Sequence, residues 1–267
     1  MKWYLAQMIS TPNPDENLDR VEHHLRKAAD SGADVVQLPE MFAVFGGRGA
    51  RDVASQESDF TGPVGQRIRN AARRYGLWIV AGTVPVQLNG ETNPRARLHV
   101  VDDRGEVQAH YDKIHLFDAS VADAQKNYRE SDHYQAGSNV VTLETPFGHW
   151  GLSVCYDLRF PELYRLQRIR GVDTLVVPSA FTRLTGQAHW EVLCRARAIE
   201  NACYLVAANQ GGQHDEKRHT WGHSMMVDPW GTIEEVGEGE QGLTVETDLQ
   251  QVEDVRLKMP THEHRRL

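Results

Sequence analysis

Three residues join chemical capacity to a telling position. Cys155 follows the apolar run Gly151-Leu152-Ser153-Val154 and precedes a helix expected from Pro161. A strand, a cysteine and a sharp turn into a helix present a nucleophile, and a helix N-terminus or a cation nearby would favour its thiolate. The alternative is a small buried apolar side chain, as read for Cys194 and Cys203. Glu40 ends the run Val35-Val36-Gln37-Leu38-Pro39, where crevices form at the carboxyl ends of parallel strands. Beside Met41 and Phe42 its pKa should rise, which suits a general base; an ordinary loop acid or helix cap is the alternative. Lys113 closes a hairpin strand within Tyr111-Asp112-Lys113-Ile114-His115-Leu116-Phe117. Its ammonium could stabilise an oxyanion, or simply snorkel at the surface. Glu130, in Tyr128-Arg129-Glu130-Ser131, carries a weaker signal and could be a solvated charge.

These residues need strands and helices to hold them, and the pattern supplies both. Trp3 to Gln7 reads as a strand, and Asn13-Pro14-Asp15-Glu16 as the capped, acidic start of a helix that runs to Ser31. Strands are expected at Ala33 to Leu38 and Leu77 to Val84, with a helix from Gly62 to Tyr75 between them. A hairpin pairs Leu98 to Val101 with Glu106 to Tyr111. In the second half, strands at Val140 to Leu143, Trp150 to Val154, Thr174 to Val177 and Tyr204 to Ala208 alternate with helices after Pro161 and over His189 to Asn201. Short strands follow at Ser224 to Val227, Thr232 to Val236 and Leu243 to Glu246. The class is α/β with two sheets. Asp118 to Ser138 is the least patterned stretch and reads as a long loop.

Composition narrows the function. The 267 residues carry 29 Lys+Arg against 37 Asp+Glu, a net charge of −8. An acidic chain is a poor nucleic-acid binder. The longest apolar run, Cys203 to Ala208, is far short of the ~20 residues of a membrane span. No basic-then-apolar leader opens the chain, and 3 cysteines argue against a disulfide scaffold. A cytoplasmic protein is expected. Size favours one large domain, residues 1–267, with a folded surface of about 12,000 Å². His262-Glu263-His264 reads as a solvated tail, not a metal site.

Taken together the motifs resemble the nitrilase, or carbon–nitrogen hydrolase, superfamily. They occur in order as LPEMF at Glu40, YDKIHLFD at Lys113 and GLSVCYDLRFPELYR at Cys155, followed by PSAFTRLTGQAHWEVLCRARAIENACYLVAANQ. Within it they are closest to the branch that holds omega-amidase and deaminated glutathione amidase. The resemblance implies a four-layer αββα sandwich, association of subunits through helical faces into a homodimer or higher oligomer, and no metal or organic cofactor. It implies a catalytic triad of Glu40, Lys113 and Cys155 with Glu130 as a second glutamate, and an oxyanion held by Lys113 and the backbone N–H of Tyr156. The small-molecule amide substrate it implies is deaminated glutathione, cleaved to 2-oxoglutarate and Cys-Gly, with 2-oxoglutaramate or another aliphatic amide or carbamoyl compound as the alternative. Arg159 is the candidate for the substrate carboxylate, against an ion pair with Asp157 or Glu162. Phe117, Phe181 and Thr182 are expected to line the pocket, while His189 and Trp190 read as a packed helix start. His214, Lys217 and Arg218 are expected to hold the distal carboxylate of the leaving group, against a solvated hairpin turn. Two rivals stand: a Cys-His hydrolase using His149, which alternation places on the face of Cys155, and a catalytically silent interaction module.

Overall fold

A computed structural model describes residues 1–46 and 49–266. The first half runs β1 (Lys2–Gln7), α1 (Pro14–Asp30), β2 (Val35–Gln37), α2 (Gly49–Gln56), α3 (Pro63–Tyr75), β3 (Trp78–Val86), β4 (Arg95–Val101) and β5 (Val107–Asp112). Two short strands follow, β6 (Asp118–Ser120) and β7 (Asn127–Arg129), with a 3₁₀ turn at Glu130–Asp132. The second half runs β8 (Thr142–Thr145), β9 (Gly148–Leu152), a 3₁₀ turn (Cys155–Arg159), α4 (Pro161–Ile169), β10 (Thr174–Val176), α5 (Arg183–Asn201) and β11 (Tyr204–Ala207). It closes with β12 (Met225–Val227), β13 (Ile233–Glu235), β14 (Gln241–Glu246) and α6 (Leu249–Lys258).

Two six-stranded sheets carry the architecture, in the orders β14-β1-β2-β3-β4-β5 and β13-β12-β11-β10-β9-β8. The strands joined by helices, β1-β2-β3 and β9-β10-β11, are parallel, as crossover connections require. The period-two alternation of a strand divides its residues between two cores. Trp3, Leu5, Val35 and Val80 enter the core shared with the second sheet, where Trp3 meets Trp150 with ring centroids 4.9 Å apart. Tyr4, Ala6, Val36, Ile79 and Ala81 face the other way, onto Leu18, Val21, Leu25 and Ala28 of α1 and Ile68, Ala71 and Ala72 of α3. Helices α4 and α5 cover the second sheet in the same manner. The result is the αββα sandwich, with 11577 Å² of accessible surface.

Local signals explain the elements. The Asn13 side chain accepts from Asp15 N at 3.0 Å and caps α1, and Gly76 ends α3 at φ 65°. Three departures from the sequence reading stand out. Helices α2 and α6 were not expected, and α5 begins at Arg183 rather than His189. The expected loop at 118–138 holds the antiparallel hairpin β6-β7, so its two ends are pinned.

Candidate active site

The Glu40 loop leaves the carboxyl end of β2 and is fastened from three directions. Gly82 lets the backbone close in: a Cβ there would meet the Pro39 carbonyl oxygen at 1.8 Å. Next to it, where the β3-β4 register shifts, Thr83 Oγ1 accepts the Met41 N–H at 2.9 Å. From the second sheet, the Gln210 amide donates to the Glu40 carbonyl oxygen at 2.9 Å and to Ser10 Oγ at 2.8 Å. Glu40 is left 2% exposed with its carboxylate turned toward Lys113.

Cys155 sits at the turn after β9 with φ 47°, a left-handed conformation that costs a non-glycine residue about 1 kcal/mol or more. Buried Asp157 holds this turn. Its Oδ2 accepts from Val154 N at 2.8 Å and Tyr111 Oη at 2.7 Å, and its Oδ1 from His115 N at 3.1 Å. The Cys155 N–H is itself bonded to the Pro178 carbonyl at 3.1 Å.

Between these two elements, Lys113 Nζ donates to Glu40 Oε1 at 2.7 Å and to Glu130 Oε1 and Oε2 at 3.0 and 2.8 Å. Glu130 Oε2 also accepts the Phe117 N–H at 2.6 Å, which ties the β6-β7 hairpin to Lys113 and Glu40. The Glu40 carboxylate and the Ala180 backbone N–H both lie close enough to the Cys155 sulfur to bear on its ionisation, the first opposing the thiolate and the second favouring it. Burial raises the Glu40 pKa above the ordinary carboxylate range, with Glu130 adding to it and Lys113 opposing. For Lys113, burial works against the ammonium, and Glu130 and Glu40 together outweigh it, so its pKa is well above normal. The Cys155 thiol is pushed far up by burial and by the Glu40 charge, with Lys113 opposing. Burial and the Glu40 charge thus favour the thiol form of Cys155, against the pull toward thiolate that a nearby cation supplies.

Above the thiol lies a cavity of about 660 Å³, walled by Met41, Phe45, Phe117, Tyr128, Tyr134 and Thr182 among others. The carbon–nitrogen hydrolase family model matches residues 5–257. The deaminated glutathione amidase of Yersinia enterocolitica is 41% identical, covering 98% of this chain and 92% of that protein. The chain belongs to the carbon–nitrogen hydrolase family. Among solved structures, Saccharomyces cerevisiae Nit3, a member of branch 10 of the nitrilase superfamily, superposes with a TM-score of 0.90 at 28% identity, covering 100% of this chain and 97% of that one. The amidase of Nesterenkonia sp. AN1, crystallised as a mutant with acrylamide added at its active site cysteine, gives a TM-score of 0.79 at 26% identity, with 98% and 99% covered.

In this carbon–nitrogen hydrolase, the structure brings Glu40, Lys113, Glu130 and Cys155 together and places Phe117, Thr182 and Arg218 on the cavity wall. Tyr156, whose N–H was read as an oxyanion donor, is the second residue of the 3₁₀ turn, where the first amides have no intrahelical acceptor. Other expectations are corrected. Arg159 does not line the cavity, and it pairs with neither Asp157 nor Glu162; its guanidinium lies 5.6 Å from the Tyr156 ring and 5.5 Å from the Phe181 ring, with Nη1 3.3 Å from His189 Nδ1. Phe181 lies behind the wall, packed on Trp190. His214 is stacked on Phe45 and bonded to Ser10 O and Thr220 Oγ1, and burial lowers its pKa to about 4, so it is no cation. Lys217 lines only an open groove outside the cavity. His149 stands at the opposite end of β9, 3.2 Å from Glu144, which removes the geometry of the Cys-His rival.

The sequence reading missed Arg51, Tyr134, Ala180, Thr83 and Gln210. Thr83, Ala180 and Gln210 act through backbone contacts that no motif announces, and Arg51 lies on the unexpected α2. Tyr134, four residues after Glu130, was within reach: it is an aromatic residue in a stretch already marked as functional. Burial, then the charges of Glu130 and Glu40, raise its pKa.

Proposed function

We propose that the chain hydrolyses the amide bond of a small carboxylated amide through a Cys155 thioester, and that this amide is deaminated glutathione. The observation that carries the chemistry is one buried cluster at the floor of a cavity: Cys155 beside Glu40, with Lys113 hydrogen-bonded to both Glu40 and Glu130. As the sulfur attacks the carbonyl carbon, Glu40 takes the thiol proton. The carbonyl π pair moves to oxygen, and the oxyanion is held by Lys113 and the Tyr156 N–H. Collapse expels the amine, which receives the proton from Glu40, and leaves the acyl thioester. Water then attacks that thioester with Glu40 again as base, and the acid leaves as the thiol is restored. Glu130 takes part of the hydrogen-bonding capacity of Lys113 and so fixes the direction of the ammonium.

Relatives named for deaminated glutathione support the substrate. So does the size of the cavity, which suits an acyl chain with a dipeptide leaving group. The test sets deaminated glutathione and 2-oxoglutaramate side by side. We expect kcat/KM to favour the former by tenfold or more; the reverse order makes the enzyme an omega-amidase. Cys155→Ser, Glu40→Gln and Lys113→Ala should each lower kcat by about 10³-fold or more. Retention of a tenth of the activity in any of them would remove that residue from the mechanism.

We further infer that a second copy covers the apolar face of α4 and α5, where Leu166, Ile169 and Val192 are 46%, 50% and 66% exposed. Three free thiols suit a reducing cytoplasm, and among the described residues no helix is long and apolar enough to cross a membrane. We read residues 1–267 as one catalytic unit.

A further inference from the structure

Among the described residues, four cationic side chains line the cavity: Lys113 at its floor, and Arg51, Arg129 and Arg218 on its walls. Three of them are engaged. Lys113 is held by Glu40 and Glu130. Arg218 Nε donates to Asp215 at 2.6 Å, and its guanidinium lies 5.0 Å from the Phe45 ring and against Gly46, where a Cβ would meet Nη1 at 1.9 Å. Arg129 faces Asp132 at 3.9 Å. Arg51 makes no ion pair or hydrogen bond with a described residue. It also sits in the first turn of α2, where the positive end of the helix dipole disfavours a cation. The position is therefore not explained by helix stability, and it leaves an exposed arginine on the wall of the cavity that holds the thiol.

We propose that Arg51 is the specificity residue that recognises a carboxylate on the acyl chain of the substrate. This rests on the reading that Cys155 is the amidase nucleophile. A guanidinium pairs with a carboxylate through two parallel N–H···O bonds, a geometry that fixes the carboxylate's direction as well as its charge. The assignment to the acyl side follows from the shape of the site. Arg218 lines both the cavity and an open groove shared with Lys217, Asp215 and Gln125, so that side is the exit for the leaving amine. Arg51, absent from that groove, takes the part of the substrate that stays on the enzyme as thioester.

Succinamate and succinamide form the matched probe: the same acyl chain with and without the carboxylate. In the unmodified protein, kcat/KM is expected to favour succinamate. Arg51→Gln should collapse the succinamate-to-succinamide ratio by 30-fold or more, carried by KM, and Arg51→Lys should restore only part of it. An unchanged ratio in Arg51→Gln overturns the proposal. A second measurement is independent of turnover: calorimetric binding of succinamate to Cys155→Ala should weaken at least tenfold when Arg51→Gln is added, and equal Kd values overturn the proposal as well. Turnover of succinamate without turnover of deaminated glutathione would remove the substrate reading above and leave the role of Arg51 standing.

Discussion

At the scale of single residues, the site depends on where one proton rests. In the proposed mechanism Glu40 must be ionised to accept the thiol proton, yet burial and the charge of Glu130 favour its protonated form. The acid limb of kcat/KM should therefore lie above the ordinary carboxylate value of ~4.3. Glu130→Gln supplies the sign test. It removes a negative charge that raises the Glu40 pKa, so the limb should move to lower pH. Because Lys113 also loses its second anchor, kcat should fall about 10–100-fold in the same variant. A pH–rate profile of both proteins checks this, and an upward move of the limb would contradict the charge coupling. At this scale the sequence was informative wherever a reactive side chain ended an apolar strand, as at Glu40, Lys113 and Cys155. It was silent on Gln210 and Thr83, which orient Glu40 by bonding its loop backbone. Their side chains resemble many other buried amides and hydroxyls, and only the meeting of the two sheets gives them a task.

At the scale of elements, the stretches that shape the cavity are the ones with the weakest periodicity. Helix α2 buries only Val53 and Ala54, and the strands of the β6-β7 hairpin are three residues each with no buried member. Neither buries enough apolar surface to leave a pattern, so both depend on tertiary contacts. By contrast α1 and α3 bury a full face and could be read with their caps. Helix α6 was legible but overlooked: Asp248 caps it by accepting from Gln250 N, and Val252 and Val255 repeat at helical spacing. The hairpin is held at its tip by Asp123, which accepts from Gln125 N, Lys126 N and the Tyr128 hydroxyl. Tyr128, Asn127 and Arg129 line the cavity and lead directly into Glu130. Asp123→Ala should loosen this wall without touching the triad. We expect KM to rise about three- to tenfold with kcat within twofold, because three hydrogen bonds of about 1 kcal/mol each are lost and part of that loss is felt in the pocket. Steady-state kinetics decide this, and a loss confined to kcat would mean that the hairpin serves the chemistry rather than the pocket.

For the molecule as a whole, the sandwich encloses polar groups as well as apolar ones. Gln37, at the end of β2, accepts from Ala208 N at 2.7 Å and donates to Val206 O at 3.2 Å, joining the two sheets inside the core. Histidines are buried with the same economy of partners. His24 on α1 is bonded to the Tyr4 hydroxyl, and His214 bridges Ser10 and Thr220. Burial lowers the pKa of each to about 4 from 6.5. The folded state thus keeps both rings neutral, while the unfolded chain protonates them below 6.5. Their contribution is fully present above pH 6.5 and is lost as the pH falls toward 4. Each pH unit in that window removes about 1.4 kcal/mol per histidine. Between pH 7.5 and 5.0 the urea unfolding free energy should fall by roughly 2 kcal/mol for each ring. His214→Gln should be less stable than the unmodified protein at pH 7.5, having lost the stacking on Phe45, yet lose less on acidification. Equal losses in the two proteins would show that His214 is already charged in the folded state, which its burial against Phe45 and its bond to the Ser10 carbonyl oppose.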